Sequence, residues 1–418
     1  MSQSRPAPTG ASSSRVGRLH ELDALRGVAA VSVVLNHSAI AFPVMHDDTS
    51  AAGLTLANVL KYTPLSALFA GFPAVIIFFV LSGLVLALPF VSGRGDGYRA
   101  FIVKRVLRLW PPYAVAVGVT FLLVATIGAT DVNGMSEWFY EKWDDPLTAA
   151  VIAGHASLIG SFDHNPFNPA VWSLVYEMRI SLIFPALVLT TVLLGWKRGL
   201  ALALALSFIA VLARSDSAFG SYLSTLKYIP CFVAGILLAV HWQTLSARMQ
   251  RLSARAAMAL AAIALLAYSW PAWANEDWFP GPLAALARNR VSDLVLLTLG
   301  ASLIILLVQR PGRARSALLS RVPQYLGRIS YSLYLVHVPV LLAVLHLLGA
   351  AVEPLLLLPL AWLLSIVCGD VLQRLVERPS HSLGRRLARH PAISRPEKAV
   401  KPVLPRPSEP SPALRGPG

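Results

Sequence analysis

Two ionisable residues share one apolar stretch near the start of the chain, at a spacing that suits chemistry. The stretch runs from Leu22 to Ser38, and within it Arg26 and His37 are eleven residues apart. A helix turns about 100° per residue, so this spacing returns both side chains to nearly the same face, about 16 Å apart along the axis. Ionisable groups in an apolar helix are costly and usually serve a function. The pair therefore predicts a cation and a titratable imidazole on one helix face.

A structural explanation is open for each residue of this pair. Arg26 could extend towards the membrane interface and pair with Asp23, three residues earlier on the same face. His37 could be a buried histidine whose hydrogen bonds are met by a neighbouring helix. The two residues together indicate function more strongly than either one alone.

A second basic pair occurs in the stretch FIVKRVLRLWPPY. Arg105 and Arg108 are three residues apart on one helical face, with Lys104 beside them. Guanidinium groups suit phosphate oxygens, so one interpretation is a clamp for an anionic cytosolic ligand. The other is an ordinary basic anchor at the cytoplasmic end of a membrane helix. Together with Arg26, the pair could form a three-arginine cluster large enough for a nucleotide-like phosphate group.

A carboxylate enters apolar sequence in the stretch NPAVWSLVYEMRISLIFP. Glu177 follows Trp172 and Ser173 and is two residues before Arg179. Pairing of Glu177 with Arg179 or with another cation is one explanation, but two charges in a membrane helix need a polar interior to face. We therefore expect Glu177 to organise a site, with Trp172 and Ser173 in support.

Other polar positions interrupt apolar stretches further along the chain. Ser82 and Gly83 lie in VIIFFVLSGLVL, where small residues favour close helix packing and the serine could also bind a ligand or His37. His337, in RISYSLYLVHVPVL, is expected to be a hydrogen-bond partner in a polar helix rather than a base. Glu377 has basic neighbours in QRLVERPS and is expected to belong to an interfacial ion-pair group.

The sequence contains no short-spaced metal or nucleotide-binding motif. His37, His155, His337 and Glu177 lack the spacing of a motif such as H-E-x-x-H, and cysteine pairs are absent, so we predict no metal. A Walker loop, a G-x-S-x-G elbow and a dinucleotide fingerprint are also missing. This argues against an ATPase, a serine hydrolase and a soluble dehydrogenase.

The composition is that of a polytopic membrane protein. Of the 418 residues, 56% are hydrophobic and 14% are charged, and the mean hydropathy is +0.61. The formal net charge of +15 comes from basic residues that cluster between apolar stretches and in the tails. That distribution follows the positive-inside rule, so we expect a lipid bilayer rather than nucleic acid as the partner.

Apolar stretches predict an all-α bundle of about ten transmembrane helices. They lie at about residues 22–42, 67–90, 101–127, 171–194, 199–213, 222–241, 256–273, 291–309, 325–348 and 354–376. The shorter stretch 146–160 is expected to be an interfacial or re-entrant piece. If it does not span, both termini are cytoplasmic and the basic loops face the cytosol, whereas a spanning segment would invert every later loop. We therefore predict ten spans.

The chain divides into three parts on this basis. Residues 1–20 form a basic cytoplasmic tail, residues 21–378 form the membrane domain, and residues 379–418 form a basic, Pro-rich cytoplasmic tail that is expected to be disordered. The first residues have no apolar core, so we do not expect a cleavable signal peptide. The first membrane helix would then act as the insertion signal.

Taken in order, these motifs resemble the integral-membrane acyltransferase family 3, bacterial enzymes that O-acylate cell-surface glycans and some metabolites. The motifs that carry the resemblance are LDALRGVAAVSVVLNH, FFVLSG, RVLRLWP, WSLVYE, YSLYLVH and VERP, spread over about residues 20–380. Any one of them is weak, but the ordered set is specific. Arg179 departs from the pattern, since many members have an aromatic or apolar residue there.

The resemblance implies an O-acyltransferase of the bacterial inner membrane. Such an enzyme takes an acyl group, usually acetyl, from cytosolic acyl-CoA and delivers it to a hydroxyl of a carbohydrate, such as a surface polysaccharide or lipopolysaccharide, or of a metabolite. It implies that His37 is the essential histidine, Arg26 its partner arginine, and Arg105 and Arg108 the cationic pair near the donor. Acyl-CoA would be a substrate, and no cofactor would be bound.

The chemistry of the residues agrees with this activity. Acyl transfer to an alcohol needs a base for the hydroxyl proton, and a neutral imidazole is well suited to accept it. Whether His37 first accepts the acyl group or only the proton is left open, as are the acceptor, the acyl chain and the oligomeric state. The alternative is a proton-coupled transporter or glycan flippase, in which Arg26, His37 and Glu177 would form a path across the membrane. The absence of inverted repeats weighs against it.

Overall fold

The computed structural model describes residues 19–46, 63–213, 218–273 and 290–394. Nearly all of the expected N-terminal tail and most of the expected C-terminal tail lie outside these ranges. All regular secondary structure within the described ranges is helical. The predicted all-α fold is therefore confirmed.

Within the described ranges, ten principal helices form the bundle, and we number them in chain order. They are α1 (His20–Ile40), α2 (Gly71–Val91), α3 (Tyr98–Thr126), α4 (Trp172–Leu212), α5 (Ile229–Val240), α6 (Ala254–Tyr268), α7 (Arg290–Leu307), α8 (Arg321–Leu348), α9 (Pro354–Leu372) and α10 (Arg378–Leu387). Short helical pieces connect them: Pro43–His46, Pro64–Phe69, Glu137–Tyr140, Ala149–His155, Pro169–Val171, Ala218–Ser224, Thr225–Tyr228, Trp242–Gln250, Trp270–Trp273, Arg313–Leu318, Gln373–Glu377 and Pro391–Ser394.

Six helical segments among the described residues are long and apolar enough to cross a membrane. They are Gly71–Val91, Tyr98–Thr126, Pro169–Leu212, Gly220–Val240, Arg321–Leu348 and Pro354–Leu387. The third of them covers two predicted spans, because Gly195 adopts a left-handed backbone with a φ of 74° and divides α4 into two helices. The other predicted spans correspond to α1 and to the shorter apolar helices α6 and α7. The chain is thus a multi-pass membrane protein.

Two close helix crossings build the centre of the bundle. α1 crosses α8 where Gly27 lies against the backbone of Gly327, and a side chain at either position would overlap the other helix. α2 crosses α5 in the same way, with Gly83 against the backbone of Phe232 and Gly235 against the backbone of α2. Small residues allow this approach, as expected for Gly83. The first crossing places the helix of Arg26 and His37 directly beside α8.

The helices differ in how deeply they lie in the bundle. In the most apolar window of α8, 67% of the residues are buried, and in that of α2, 61% are buried, whereas α9 with its continuation to Leu387 has only 28% buried. α2 and α8 are therefore central, and α9 presents most of its surface outwards. Polar side chains on α2 and α8 consequently have to be satisfied inside the protein.

Residues 128–168 form a cap over one end of the bundle. Ser136 donates its hydroxyl to the carbonyl of Ile40 at 2.6 Å, which ties the cap to the end of α1. Asn168 donates to the carbonyl of Leu335 in α8 at 3.0 Å. The expected interfacial stretch 146–160 lies within this cap and contains one seven-residue helix.

The region after residue 378 begins with the helix α10. α10 continues α9 through the π-helical turn Gln373–Glu377. It packs on α3, where Gly384 lies against Leu107 and the backbone of Lys104. The buried residues at this contact, Gly384 and Ala388, are both small, so hydropathy gave no sign of it.

Candidate active site

His37 and His337 meet side by side at the crossing of α1 and α8. His337 Nε2 is 3.1 Å from His37 Nδ1. His337 Nδ1 lies 2.8 Å from the carbonyl of Tyr334, which can only accept, so a neutral His337 carries its proton on Nδ1. Its Nε2 then accepts from His37 Nδ1, which also faces the carbonyl of Val33 at 3.1 Å. This leaves His37 Nε2 unprotonated, in the form that a general base requires.

The cap closes this histidine pair on its outer side. His337 is buried and His37 is half-buried, and the His37 ring lies 5.8 Å from the ring of Trp138 in the cap. The ammonium group of Lys142 lies 5.3 Å from the centre of the Trp138 ring. Burial lowers the pKa of Lys142, while its ion pair with Glu141 at 3.1 Å acts in the opposite direction. The ring of Trp138 therefore contacts His37 from the cap, with the cation of Lys142 beside that ring.

A buried ion pair joins three helices beneath the histidines. Glu177 in α4 accepts from Arg105 Nη2 in α3 at 2.7 Å and from the Ser82 hydroxyl in α2 at 2.9 Å. Arg105 Nε donates to the Ser181 hydroxyl at 3.2 Å, and that hydroxyl donates to the carbonyl of Glu177 at 2.7 Å. All four side chains are buried. Each charge thus depends on the other for its stabilisation.

A cavity of about 450 Å³ opens beside this ion pair. Four of the residues predicted for the site lie in its wall, namely Arg26, Arg108, Ser173 and Glu177. The rest of the wall comes from α1, α2, α3, α4, α8 and the segment from Gln373 to Arg385. The volume is within the range of small-molecule sites.

Arg26 and Arg108 are the predicted arginines whose side chains line the cavity. Within the described ranges, neither guanidinium takes part in a hydrogen bond or a salt bridge. Arg105 is not part of the wall, because its guanidinium is committed to Glu177 and Ser181. Two planar cations are therefore available for an anion, and a third holds the carboxylate beside them.

An aromatic boundary separates the cavity from the histidine pair. Tyr334 lines the cavity, and its hydroxyl lies 2.8 Å from Ser173 Oγ. Its ring meets the edge of Phe78, with ring centres 5.8 Å apart. One helical turn further along α8, His337 contacts His37, which is not in the cavity wall. The arginines and the base thus lie on opposite sides of two aromatic rings.

The structure selects partners for Glu177 and Ser82, which the sequence had left open. Glu177 pairs with Arg105 and not with Arg179, because residues two apart on a helix point to nearly opposite faces. Arg179 instead donates to backbone carbonyls of the cap at Ile159 and Gly160. Ser82 binds Glu177 and not His37.

Trp172 and Glu377 also take positions that the sequence did not suggest. Trp172 lies outside the cavity wall, in an aromatic cluster with Phe79 and Tyr228 whose ring centres are 6.1 and 5.5 Å away. Glu377 lines the cavity and accepts from the Ser332 hydroxyl at 2.6 Å. The expected interfacial ion pair is instead formed by other residues of this segment, Arg374 with Asp370.

Sequence reasoning missed the contribution of the chain end to the cavity. His381 and Arg385 line the wall together with Gln373 and Glu377. Their regular four-residue spacing was the available signal, since it places side chains on one helix face. The low hydropathy of this segment concealed it.

The charged groups of the cavity suit a phosphate-bearing ligand better than a metal. Its unpaired cations are arginines, which bind oxygen anions and do not ligate metals. In the part of the chain that the structure describes, no group of three or more His, Cys, Asp or Glu side chains could hold a metal ion.

A multi-pass helical bundle that encloses a histidine pair and an arginine-lined cavity defines a membrane protein with a buried polar site. The model of acyltransferase family 3, described as an acyltransferase domain, matches residues 19–374. The chain therefore belongs to this acyltransferase family, which confirms the resemblance that its motifs indicate.

Two curated relatives are similar to the chain. Nodulation protein 10 of Rhizobium leguminosarum bv. viciae is 26% identical over 55% of this chain and 62% of the relative. The chain thus spans less than two thirds of that protein. O-acetyltransferase PaAT-1 of Phomopsis amygdali is 23% identical over 78% of this chain and 73% of the relative. No solved structure matches the chain significantly.

Proposed function

We propose that the protein is a membrane O-acyltransferase. It takes an acyl group, acetyl in the first instance, from cytosolic acyl-CoA and transfers it to a hydroxyl of a carbohydrate or metabolite. The observation that carries this proposal is the contact between His37 Nδ1 and His337 Nε2, which lies across two aromatic rings from a cavity lined by Arg26 and Arg108. Membership of the acyltransferase family and the name of the relative PaAT-1 support the reaction type.

The cavity receives the donor in this proposal. Arg26 and Arg108 bind phosphate oxygens of the coenzyme, since charge-assisted hydrogen bonds to phosphate favour a guanidinium. The thioester arm extends past Phe78 and Tyr334 towards His37. Arg105 holds Glu177 in place by an ion pair. The Glu177 carboxylate then offsets the positive charge of Arg26 and Arg108 without a direct bond to either.

His37 acts as the general base. Its Nε2 accepts the proton of the acceptor hydroxyl, and the resulting oxygen attacks the thioester carbonyl. The carbon–sulfur bond breaks, the ester forms, and the coenzyme thiolate leaves and takes up the proton that His37 Nε2 had accepted. His337 keeps the His37 proton on Nδ1 throughout, so Nε2 stays available.

The orientation in the membrane follows from the same arrangement. The arginine-lined cavity faces the cytosol, where acyl-CoA is made, and the cap faces the other side of a bacterial inner membrane. The acceptor reaches His37 from the cap side, where glycans of the cell envelope are found. Both termini are then cytoplasmic. A reporter that is active only in the cytosol should therefore be active when fused to either terminus. Labelling of either terminus by a reagent outside the cell would contradict this topology.

The test is acyl transfer from radiolabelled acetyl-CoA. Membranes containing the wild type, His37→Ala or the surface variant His241→Ala are incubated with the donor, and label is scored in the glycan and small-metabolite fractions. We expect transfer by the wild type and by His241→Ala, and a loss of about 10²- to 10⁴-fold for His37→Ala at equal expression.

Two results would contradict the proposal. Transfer by His37→Ala at the wild-type rate would remove His37 from the base role. Absence of transfer by the wild type, with an adequate acceptor pool and no binding of CoA, would remove acyl-CoA as the donor.

A further inference from the structure

The segment after α9 carries a regular stripe of polar side chains along one wall of the cavity. Gln373, Glu377, His381 and Arg385 follow one another at intervals of four residues, and all four line the cavity. The last three lie beyond residue 374, where the family match ends. This part of the wall is therefore not accounted for by the matched region.

The local helix geometry keeps the stripe on the cavity side. In a regular α-helix, each four-residue step drifts by about 40° around the axis. Gln373–Glu377 forms a π-helical turn, which has more residues per turn than an α-helix. The four-residue step from Gln373 to Glu377 therefore rotates by less than a full turn. This offsets part of the rotation added by the two α-helical steps to His381 and Arg385. The π turn consequently aligns the start of the stripe with Arg385, about 18 Å further along the axis.

Packing holds α10 in this orientation. Gly384 lies against Leu107 and the backbone of Lys104 in α3, and Ala388, one turn later, is buried. Arg385 is exposed at the far end of the stripe, and its Nη1 lies 3.2 Å from His381 Nδ1. A guanidinium can only donate, so the histidine nitrogen accepts and restrains the arginine.

The order of groups along the cavity matches the order of groups along a coenzyme A thioester. The acyl end has to reach furthest in, past Tyr334, so the nucleotide end remains at the mouth. Arg26 and Arg108 are deeper in the wall than the end of the stripe, and they suit the diphosphate. Of the two exposed arginines in the wall, Arg328 lies over the Tyr325 ring, with its Cζ 5.3 Å from the ring centre, and Arg385 remains for the phosphate on the ribose.

We infer that Arg385, oriented by His381, binds the ribose phosphate of the donor and distinguishes phosphorylated from dephosphorylated coenzyme. This inference rests on the proposed function. It gives the chain end beyond the matched region a specific part in donor recognition.

The experiment measures the dissociation constants of CoA and 3′-dephospho-CoA for the purified full-length protein in phosphatidylcholine nanodiscs. We expect the wild type to bind CoA about tenfold more tightly, as a charge-assisted hydrogen bond in a partly exposed site predicts. Arg385→Ala weakens CoA binding about tenfold and leaves 3′-dephospho-CoA binding unchanged. Arg385→Lys retains part of the preference, because the charge remains while the planar fork is lost.

Arg386→Ala is the matched control, since Arg386 is an exposed neighbour on α10 that does not line the cavity. It should keep the wild-type preference for CoA. An equal loss of affinity for CoA and for 3′-dephospho-CoA in Arg385→Ala would overturn the inference. A wild type that binds the two ligands with equal affinity would also overturn it. The proposed function would survive either result, whereas a wild type that binds neither would overturn both.

An anionic lipid headgroup offers the same chemistry as a donor phosphate. Repeating the measurements in nanodiscs containing phosphatidylglycerol separates the two sources. We expect the Arg385→Ala defect in both lipids. A defect that is present only with phosphatidylglycerol would assign Arg385 to lipid and overturn the inference.

Discussion

Replacing His337 by Phe tests how the His37 base is prepared. The Nδ1 proton of His37 has two acceptors, His337 Nε2 and the carbonyl of Val33, each at 3.1 Å. His337→Phe removes one and leaves the other, so the preference for the reactive tautomer is weakened and not abolished. A net hydrogen bond contributes about 1 kcal/mol, which corresponds to a loss in rate of about tenfold or slightly less.

The assay is the rate of label transfer from acetyl-CoA at saturating donor, with the donor KM measured in parallel. We expect the rate to fall about tenfold in His337→Phe with the donor KM unchanged, because His337 is not in the wall of the donor cavity. His337→Gln should retain more activity, since its amide oxygen can accept the same proton. His37→Ala should lose about 10²- to 10⁴-fold.

His346→Phe is the matched control on the same helix. His346 is also buried, but its Nδ1 accepts from the backbone of Thr130 in the cap and does not contact His37. It should affect thermal stability and leave the transfer rate near that of the wild type. A rate for His337→Phe as low as that of His37→Ala would refute the reasoning, and so would an unchanged rate.

Three further predictions concern stability. Glu177→Gln leaves Arg105 buried without its counter-charge and should reduce the free energy of unfolding by about 3 kcal/mol or more, seen as a lower Tm. The double variant Glu177→Gln/Arg105→Met should recover part of the lost stability. An equal loss of stability in the single and the double variant would contradict the pairing. Gly27→Ala places a methyl group into the α8 backbone and should lower Tm, whereas Gly118→Ala, which meets nothing, should not; matching Tm values would speak against the close crossing. Burial lowers the pKa of His164, in the cap, from its ordinary 6.5 to about 4, so the unfolded chain binds more protons in this range. The contribution of His164 to the free energy of unfolding should therefore be complete above pH 6.5 and fall by roughly 2 kcal/mol towards pH 4, after allowance for partial exposure. His164→Gln should make Tm less dependent on pH in this range. An unchanged dependence of Tm on pH would exclude His164 as its cause.

The helices were predictable because their signals are local. Each apolar stretch long enough to span predicted a helix, and even the division of α4 at Gly195 was anticipated by two separate spans. Backbone N–H and C=O groups in lipid have to be hydrogen-bonded within the protein, and a helix satisfies them within one segment. Hydropathy alone therefore predicts much of this fold. α10 carries no such local signal, because it is polar and Gly384 is its buried residue, packed against α3.

The pairing of the site residues could not be predicted in the same way. His37 and His337 are 300 residues apart, and their contact depends on how closely α1 and α8 cross at Gly27 and Gly327. The sequence left the partner of Glu177 open between Arg179 and another cation, and the fold supplies Arg105 from another helix. Long-range contacts of this kind are set by packing between helices.

The sequence by itself determined the class of protein, the family and the residue types that could do chemistry, because hydropathy, charge distribution and ordered motifs are properties of the chain. Only the tertiary structure decided which nitrogen of His37 is free, since that depends on a hydrogen-bond partner from α8. It also decided that Arg26 and Arg108 face the cavity while Arg105 is committed to Glu177. A side chain's protonation and availability are set by its neighbours in space, and those neighbours come from distant parts of the chain.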